Sequence, residues 1–195
     1  MLVNLPNILS MFRLILVPCF AVTYMSDAEH AGIYAGIIFV IAATTDVIDG
    51  YLARKWNQIT PIGRILDPLA DKLLQLTALS CLTIKGVVPW IPCIIFLAKE
   101  LLMMIGSAVL VKKLDDVIPS NIFGKLVSFG VSATLTAAIF FHDLAEESCP
   151  NLFPVLFYVL TVLTIAAFVI YLISSIKCLK KKSIDLDARS GRLKL

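Results

Sequence analysis

Charge is scarce in this chain: only 16% of its 195 residues are Asp, Glu, Lys or Arg, against 59% hydrophobic. With a mean hydropathy of +0.91, that shortage excludes a soluble globular domain, which carries about 25% charged residues. Histidine is nearly absent, with two residues, and the five cysteines (Cys19, Cys81, Cys93, Cys149 and Cys178) include no CxxC pair. That set spells neither a disulfide framework nor a thiolate metal site, and cysteines within apolar runs act as small hydrophobes. The 17 Lys and Arg form no compact basic domain or zinc-finger pattern, so nucleic acid is not expected as a partner. No basic n-region precedes the first apolar run, and no small-residue cleavage site precedes Asp27 and Glu29. That run is therefore expected to stay in the mature protein.

What the chain has instead is apolar runs of membrane-spanning length, at 8–25, 32–54, 68–84, 87–111, 123–141 and 152–176. At about 20 residues per span, these predict an all-α polytopic membrane protein with six transmembrane helices and little else. Asn4-Leu5-Pro6-Asn7 reads as a short N-terminal interfacial segment, and Pro18 is expected to kink the first span. Residues 1–182 form the membrane domain and 183–195 a polar, basic tail, expected to be frayed. The connections at 26–31 and 142–151 contain no Lys or Arg and five acids between them. The opposite side collects Arg54, Lys55, Arg64, Lys112, Lys113 and the lysines and arginines of the tail. By the positive-inside bias, both termini are cytoplasmic. His30 and His142 fall in the outer connections and are not expected to ligate metal. Trp56 and Trp90 suit interfacial anchoring.

Four aspartates stand out against this background. Asp46 and Asp49 lie toward the cytoplasmic end of the second span, and Asp67 and Asp71 at the start of the third. Steps of three and four residues put each pair on one helical face. A carboxylate beside hydrocarbon costs several kcal/mol unless it is paired, coordinated or wet, which makes these residues functional candidates. Two pairs on neighbouring helices can converge, and converging carboxylates repel unless cations lie between them. Oxygen ligands without His or Cys suit Mg²⁺ or Mn²⁺, in a site of one or two ions. Gly50 and Ala53 lie within about 40° of Asp46 on the helical wheel and leave a groove beside the acids. Arg54 flanks that groove, an arrangement suited to a diphosphate. Gly63, in the connection, permits a turn that aims Asp67 back toward Asp46.

Together these residues read Asp46-x2-Asp49-Gly50-x2-Ala53-Arg54-x8-Gly63-x3-Asp67-x3-Asp71. The pattern resembles the signature of the CDP-alcohol phosphotransferase family at every fixed position. Asn4-Leu5-Pro6-Asn7-Ile8-Leu9-Ser10-Met11-Phe12-Arg13 and Asp71-Lys72-Leu73 are similar to the branch that holds the phosphatidylglycerophosphate synthases and the CDP-type cardiolipin synthases. The resemblance is close over roughly the first 75 residues and beyond them rests mainly on helix number.

The resemblance implies a six-helix homodimer in the bacterial cytoplasmic membrane, with a cytoplasm-facing polar cavity for a CDP-linked lipid and an alcohol. Asp46, Asp49, Asp67 and Asp71 would bind two divalent ions, Mg²⁺ or Mn²⁺. Gly50, Ala53, Arg54 and Thr60 would form the CDP-lipid site, and Asp71 would also be the general base. The implied reaction moves the phosphatidyl group of CDP-diacylglycerol to glycerol 3-phosphate and releases CMP, with membrane lipid as the medium. Metals that neutralise the diphosphate and a carboxylate that takes the hydroxyl proton suit this chemistry.

An acceptor phosphate needs cations, and Lys72, Lys99 and Lys125 are the candidates, Lys125 from the segment Pro119-Ser120-Asn121-x2-Gly124-Lys125. Lys112 is better read as a topology charge. Phosphatidylglycerophosphate synthases usually show Arg-Glu in the fourth span, where this chain has Lys99-Glu100, a point charge in place of a bidentate fork. That difference leaves inositol phosphate, serine and phosphatidylglycerol open as acceptors, and mutual neutralisation of Lys99 and Glu100 is the alternative reading of that pair. The competing classes are a small ion transporter and a structural membrane subunit. Acids gathered at one leaflet's edge argue against a transport path, and a structural subunit has no need of the joint Gly, Ala, Arg and Asp set.

Overall fold

A computed structural model describes the backbone of residues 5–55, 63–114 and 122–192, and side chains over 8–45, 48, 69–106 and 122–176. The described residues are helical apart from short connections: α1 (Leu5–Met25), α2 (Ala31–Lys55), α3 (Gly63–Ile84), α4 (Trp90–Leu114), α5 (Ile122–Ser148) and α6 (Leu152–Arg192). Ile8–Met25, Ile122–Ser148 and Leu152–Ile176 are each long and apolar enough to cross a membrane, and Ala31–Thr45 is a shorter apolar helix. The all-α membrane architecture expected from hydropathy is thus present.

Several boundaries differ from the sequence reading. Leu5, Pro6 and Asn7 form the first turn of α1 rather than a segment set apart from it. The same helix continues on both sides of Pro18. Helix α3 begins at Gly63, five residues before the expected start, so Gly63 is a helix residue and not a loop turn. Helix α5 runs through His142 to Ser148, because residues past the apolar run are good helix formers and His142 pairs with Glu146 one turn on, at 3.4 Å. Helix α6 continues past the apolar run, through the basic residues to Arg192. Its 41 residues span about 60 Å at 1.5 Å each, twice the hydrocarbon thickness.

The connections at one end of the bundle are short and chemically explicit. After α3, Gly86 takes φ +84°, and its N–H donates to the Thr83 carbonyl at 3.0 Å while Val87 N–H donates to Leu82 O at 2.9 Å. These two bonds are the Schellman pattern, and the buried Val87 and Leu82 supply its apolar contact. Asn151 precedes α6, and its carbonyl accepts the N–H of Val155 at 3.1 Å.

Helix α1 packs on α2 and α3, α5 on α6 and α2, and α4 on α6 and α3. The interior holds Phe20, Phe39, Leu74, Leu82, Leu135 and Phe157. The Phe20 ring stacks on Tyr24 at 5.7 Å and tilts against Phe39 at 5.8 Å. Large apolar side chains also cover the outside, among them Ile15, Val22, Phe129 and Val162, the surface a lipid solvent calls for and water penalises. Helices α2 and α5 meet closely at Gly32 and Gly36. A Cβ on Gly32 would stand 3.2 Å from the Ile139 carbonyl oxygen, and one on Gly36 would stand 2.5 Å from the Phe140 ring. Small residues four apart let helix backbones approach in this way.

Polar groups inside the bundle are mostly satisfied within their own helices. The hydroxyls of Thr45, Thr83, Thr161 and Ser175 each donate to the carbonyl four residues earlier, at 2.6–2.8 Å. Arg13 is fully buried, so its charge faces the bundle and not lipid. The four described cysteines, Cys19, Cys81, Cys93 and Cys149, are free thiols.

Candidate active site

Asp71 stands in the third turn of α3, partly exposed, and the side chains around it come from three helices. Lys72 Nζ lies 3.8 Å from Asp71 Oδ2 and 3.4 Å from Glu100 Oε2 of α4. Lys99 Nζ is bonded to the other oxygen of the same carboxylate, Glu100 Oε1. Glu100 is therefore shared by two lysines, and Asp71, Lys72, Glu100 and Lys99 form one string of alternating charge across α3 and α4. The formal charges cancel, which is what allows four ionic side chains to sit between helices. On the α5 side, Gln75 Nε2 donates to Asp71 Oδ1 at 3.3 Å and to Ser132 Oγ at 3.1 Å.

Behind this string, a small, partly open niche lies between α3, α4, α5 and α6. Gln75, Lys99, Glu100 and Ser128 line it, with apolar walls that include Phe96, and Thr164 of α6 is also in the lining. Thr164 Oγ1 is buried with no hydrogen-bond partner.

The structure thus joins Asp71, Lys72 and Lys99 in one cluster. Asp46, Asp49, Gly50, Ala53 and Arg54 lie on the C-terminal half of α2, and Asp67 lies on α3 one turn before Asp71. The side chains of these six are outside the described residues, and Thr60 is outside them altogether. Lys125 is exposed in the first turn of α5 and makes no ion pair with a described residue. Among the described residues, no group of three His, Cys, Asp or Glu could hold a metal ion. The donor set formed by Asp46, Asp49, Asp67 and Asp71 on two packed helices is all oxygen and fits a hard divalent cation by its chemistry. A site on these residues would have to draw on α2 and α3 together.

Three members of the cluster were not singled out by sequence patterning. The sequence offers Glu100 only as a partner of Lys99, and its second contact, with Lys72, depends on α3 and α4 being neighbours. Gln75 did carry a signal: an amide inside an apolar helix, four residues from an acid. Ser132 had none, because a serine in a membrane helix satisfies itself on its own backbone.

The sequence profile described as CDP-alcohol phosphatidyltransferase matches residues 3–173 of the chain. A Rickettsia bellii (strain RML369-C) protein named "CDP-diacylglycerol--glycerol-3-phosphate 3-phosphatidyltransferase" is 41% identical over 100 residues, 51% of this chain and 55% of that one. Proteins of the same name from Haemophilus influenzae and Wigglesworthia glossinidia brevipalpis are each 40% identical. The first matches over 102 residues, 51% of this chain and 55% of its own length, and the second over 105 residues, 53% and 58%. The chain spans about half the length of the curated relatives it matches.

Proposed function

The chain belongs to the CDP-alcohol phosphatidyltransferase family, and from that membership we propose that it transfers the phosphatidyl group of CDP-diacylglycerol to glycerol 3-phosphate, releasing CMP. The observation that carries the reading is the surroundings of Asp71, where a carboxylate, two lysines and a buried glutamate gather beside the helix that bears Asp46 and Asp49. The name borne by the Rickettsia bellii and Haemophilus influenzae relatives supports glycerol 3-phosphate as acceptor.

Asp46, Asp49, Asp67 and Asp71 are the residues that would hold two Mg²⁺ or Mn²⁺ ions. When bound, the ions neutralise the diphosphate and the charge that develops on the departing CMP. The remaining work falls to the chain itself. Gly50 and Ala53 leave room beside the acids, and Arg54 and Thr60 contact the nucleotide. Asp71 takes the proton of the acceptor hydroxyl as that oxygen bonds to the lipid-side phosphorus. The bond from this phosphorus to the bridging oxygen breaks, and CMP leaves with the electron pair.

Lys72, Lys99 and Lys125 meet the acceptor phosphate. Lys72 and Lys99 are held against Glu100, yet an ammonium has three donors, so each can keep Glu100 and still offer an N–H to phosphate. Confining the lipid donor and the acceptor to one cavity at the membrane edge removes an encounter cost. The family resemblance supports a six-span homodimer in the bacterial cytoplasmic membrane, and the loop charge bias supports a cytoplasmic site and termini.

The test follows CMP release by purified protein in detergent with CDP-diacylglycerol and Mg²⁺ or Mn²⁺. Glycerol 3-phosphate, phosphatidylglycerol, inositol phosphate and serine are offered separately. Turnover with glycerol 3-phosphate alone, lost on chelation and absent in folded Asp71→Asn, is the expected result. Turnover only with another acceptor overturns the substrate assignment and keeps the reaction class. Absence of metal-dependent CMP release from folded protein with every acceptor overturns the reading.

A further inference from the structure

Asp71 cannot act as ligand and base unless its carboxylate is held at one angle, and a residue in the third turn of a helix has free rotation about two side-chain bonds unless something fixes it. The neighbouring polar groups form a chain with a definite direction. Ser132 Oγ donates to the Ser128 carbonyl at 3.2 Å, and this commits its only hydrogen. Ser132 can then only accept from Gln75, and the Gln75 amide must turn its NH₂ edge toward it. The same nitrogen has a second hydrogen, and that hydrogen points at Asp71 Oδ1, 3.3 Å away. Reversing the amide would set a carbonyl oxygen against a carboxylate and leave Ser132 without its donor. The network therefore selects one orientation of Gln75 and, through it, one orientation of Asp71.

We propose that Gln75 of α3, aimed by Ser132 of α5, is the positioning residue that orients the Asp71 carboxylate for its part in the reaction. Oδ1 is the tethered oxygen, and Oδ2 is the oxygen turned to the Lys72 side of the cluster. The tether also couples α5 to the reaction centre, so a change in α3–α5 packing reaches Asp71 through Gln75. Partial burial is consistent with the assignment: Gln75 stands half-buried between apolar helices with its NH₂ group paired on both sides, and a structural role alone would be met by leucine at position 75.

This inference rests on the reading of Asp71 as the reacting carboxylate, and its test separates the two. Gln75→Leu, Ser132→Ala, Ser132→Thr and the Gln75→Leu/Ser132→Ala double variant are compared with wild type and Asp71→Asn. Three quantities are measured in detergent: kcat and KM for CMP release, Mn²⁺ affinity from the paramagnetic resonance signal of unbound Mn²⁺, and the melting temperature without metal. Gln75→Leu is expected to lower kcat and Mn²⁺ affinity by about tenfold to a hundredfold, as loss of a group that orients a ligand does, with both KM values little changed. Ser132→Ala is expected to lower kcat about fivefold, the worth of one hydrogen bond. Ser132→Thr, which keeps the hydroxyl, should restore it, and the double variant should match Gln75→Leu because serine acts through glutamine. Where Gln75→Leu fails to fold, Ser132→Ala against Ser132→Thr decides the matter alone.

Wild-type turnover with an inactive Asp71→Asn and an unchanged Gln75→Leu would overturn this inference alone. So would losses from Gln75→Leu and Ser132→Ala that multiply in full. Absence of CMP release from the wild type overturns the functional reading and this inference with it.

Discussion

Replacing Glu100 by glutamine keeps the side chain's shape and removes the one charge that faces two lysines. Glu100 is 8% exposed, and the Lys99 and Lys72 side chains are 14% and 24% exposed, so neither ammonium regains full hydration where it stands. Breaking one side of a buried ion pair costs about 3–5 kcal/mol because the remaining charge is stranded. The lower end applies here, since Asp71 Oδ2 stays 3.8 Å from Lys72 and Lys99 alone loses its counter-charge. The expected loss is about 3 kcal/mol, roughly a hundredfold in the ratio of folded to unfolded protein. Unfolding by SDS in mixed micelles, followed by tryptophan fluorescence, measures it. Glu100→Gln/Lys99→Met removes both partners and should recover most of the loss, because apolar replacement of a buried pair is close to neutral. A Glu100→Gln protein within about 1 kcal/mol of wild type, the range of an exposed ion pair, would refute the reasoning. A double variant no more stable than the single one would refute it as well.

Other expectations follow from the helix contacts and the same micelle assay. Gly36→Ala forces its Cβ against the Phe140 ring and should cost about 1–3 kcal/mol by overpacking; Phe140→Leu in the same chain should relieve part of that cost, and simple addition of the two effects would contradict the close approach. Gly86→Ala puts a Cβ at φ +84° and should cost about 1–2 kcal/mol. That turn lies at the far end of α3 from Asp71, so CMP release per folded molecule should be unchanged. Thr164→Val removes a buried hydroxyl without a hydrogen-bond partner and should be neutral or stabilising by up to about 1 kcal/mol. A clear loss of stability there would show that the hydroxyl is engaged.

The helical membrane class was legible from composition, because an apolar exterior cannot be disguised in a chain with so few charges. Helix ends were less legible. Pro68 is a strong start signal, yet α3 begins at Gly63, so this proline falls past the first turn, where it cannot donate the usual bond to the carbonyl four residues earlier. Hydropathy marked where the apolar runs stop at Phe141 and Ile176, but helix propensity carries α5 to Ser148 and α6 to Arg192. The end of hydrocarbon and the end of a helix are separate events. Gly32 and Gly36 could have been paired from their spacing alone, though spacing does not say which helix comes close.

For the site, the one-dimensional signal was the spacing of Asp46, Asp49, Asp67 and Asp71, since a helical period converts intervals of three and four into a shared face. The lysines could be nominated from sequence but not ranked. Lys72 and Lys99 are joined through Glu100 only because α3 and α4 pack side by side, and Lys125 stands apart from that string. Gln75 and Ser132 are 57 positions apart, and no local pattern relates them. What the sequence alone determined was therefore everything set by period and composition: class, apolar faces and the acid pattern. What only the tertiary structure decided was which polar side chains meet across helices. In an apolar bundle each such group must find a partner, and the partner depends on which helix lies alongside.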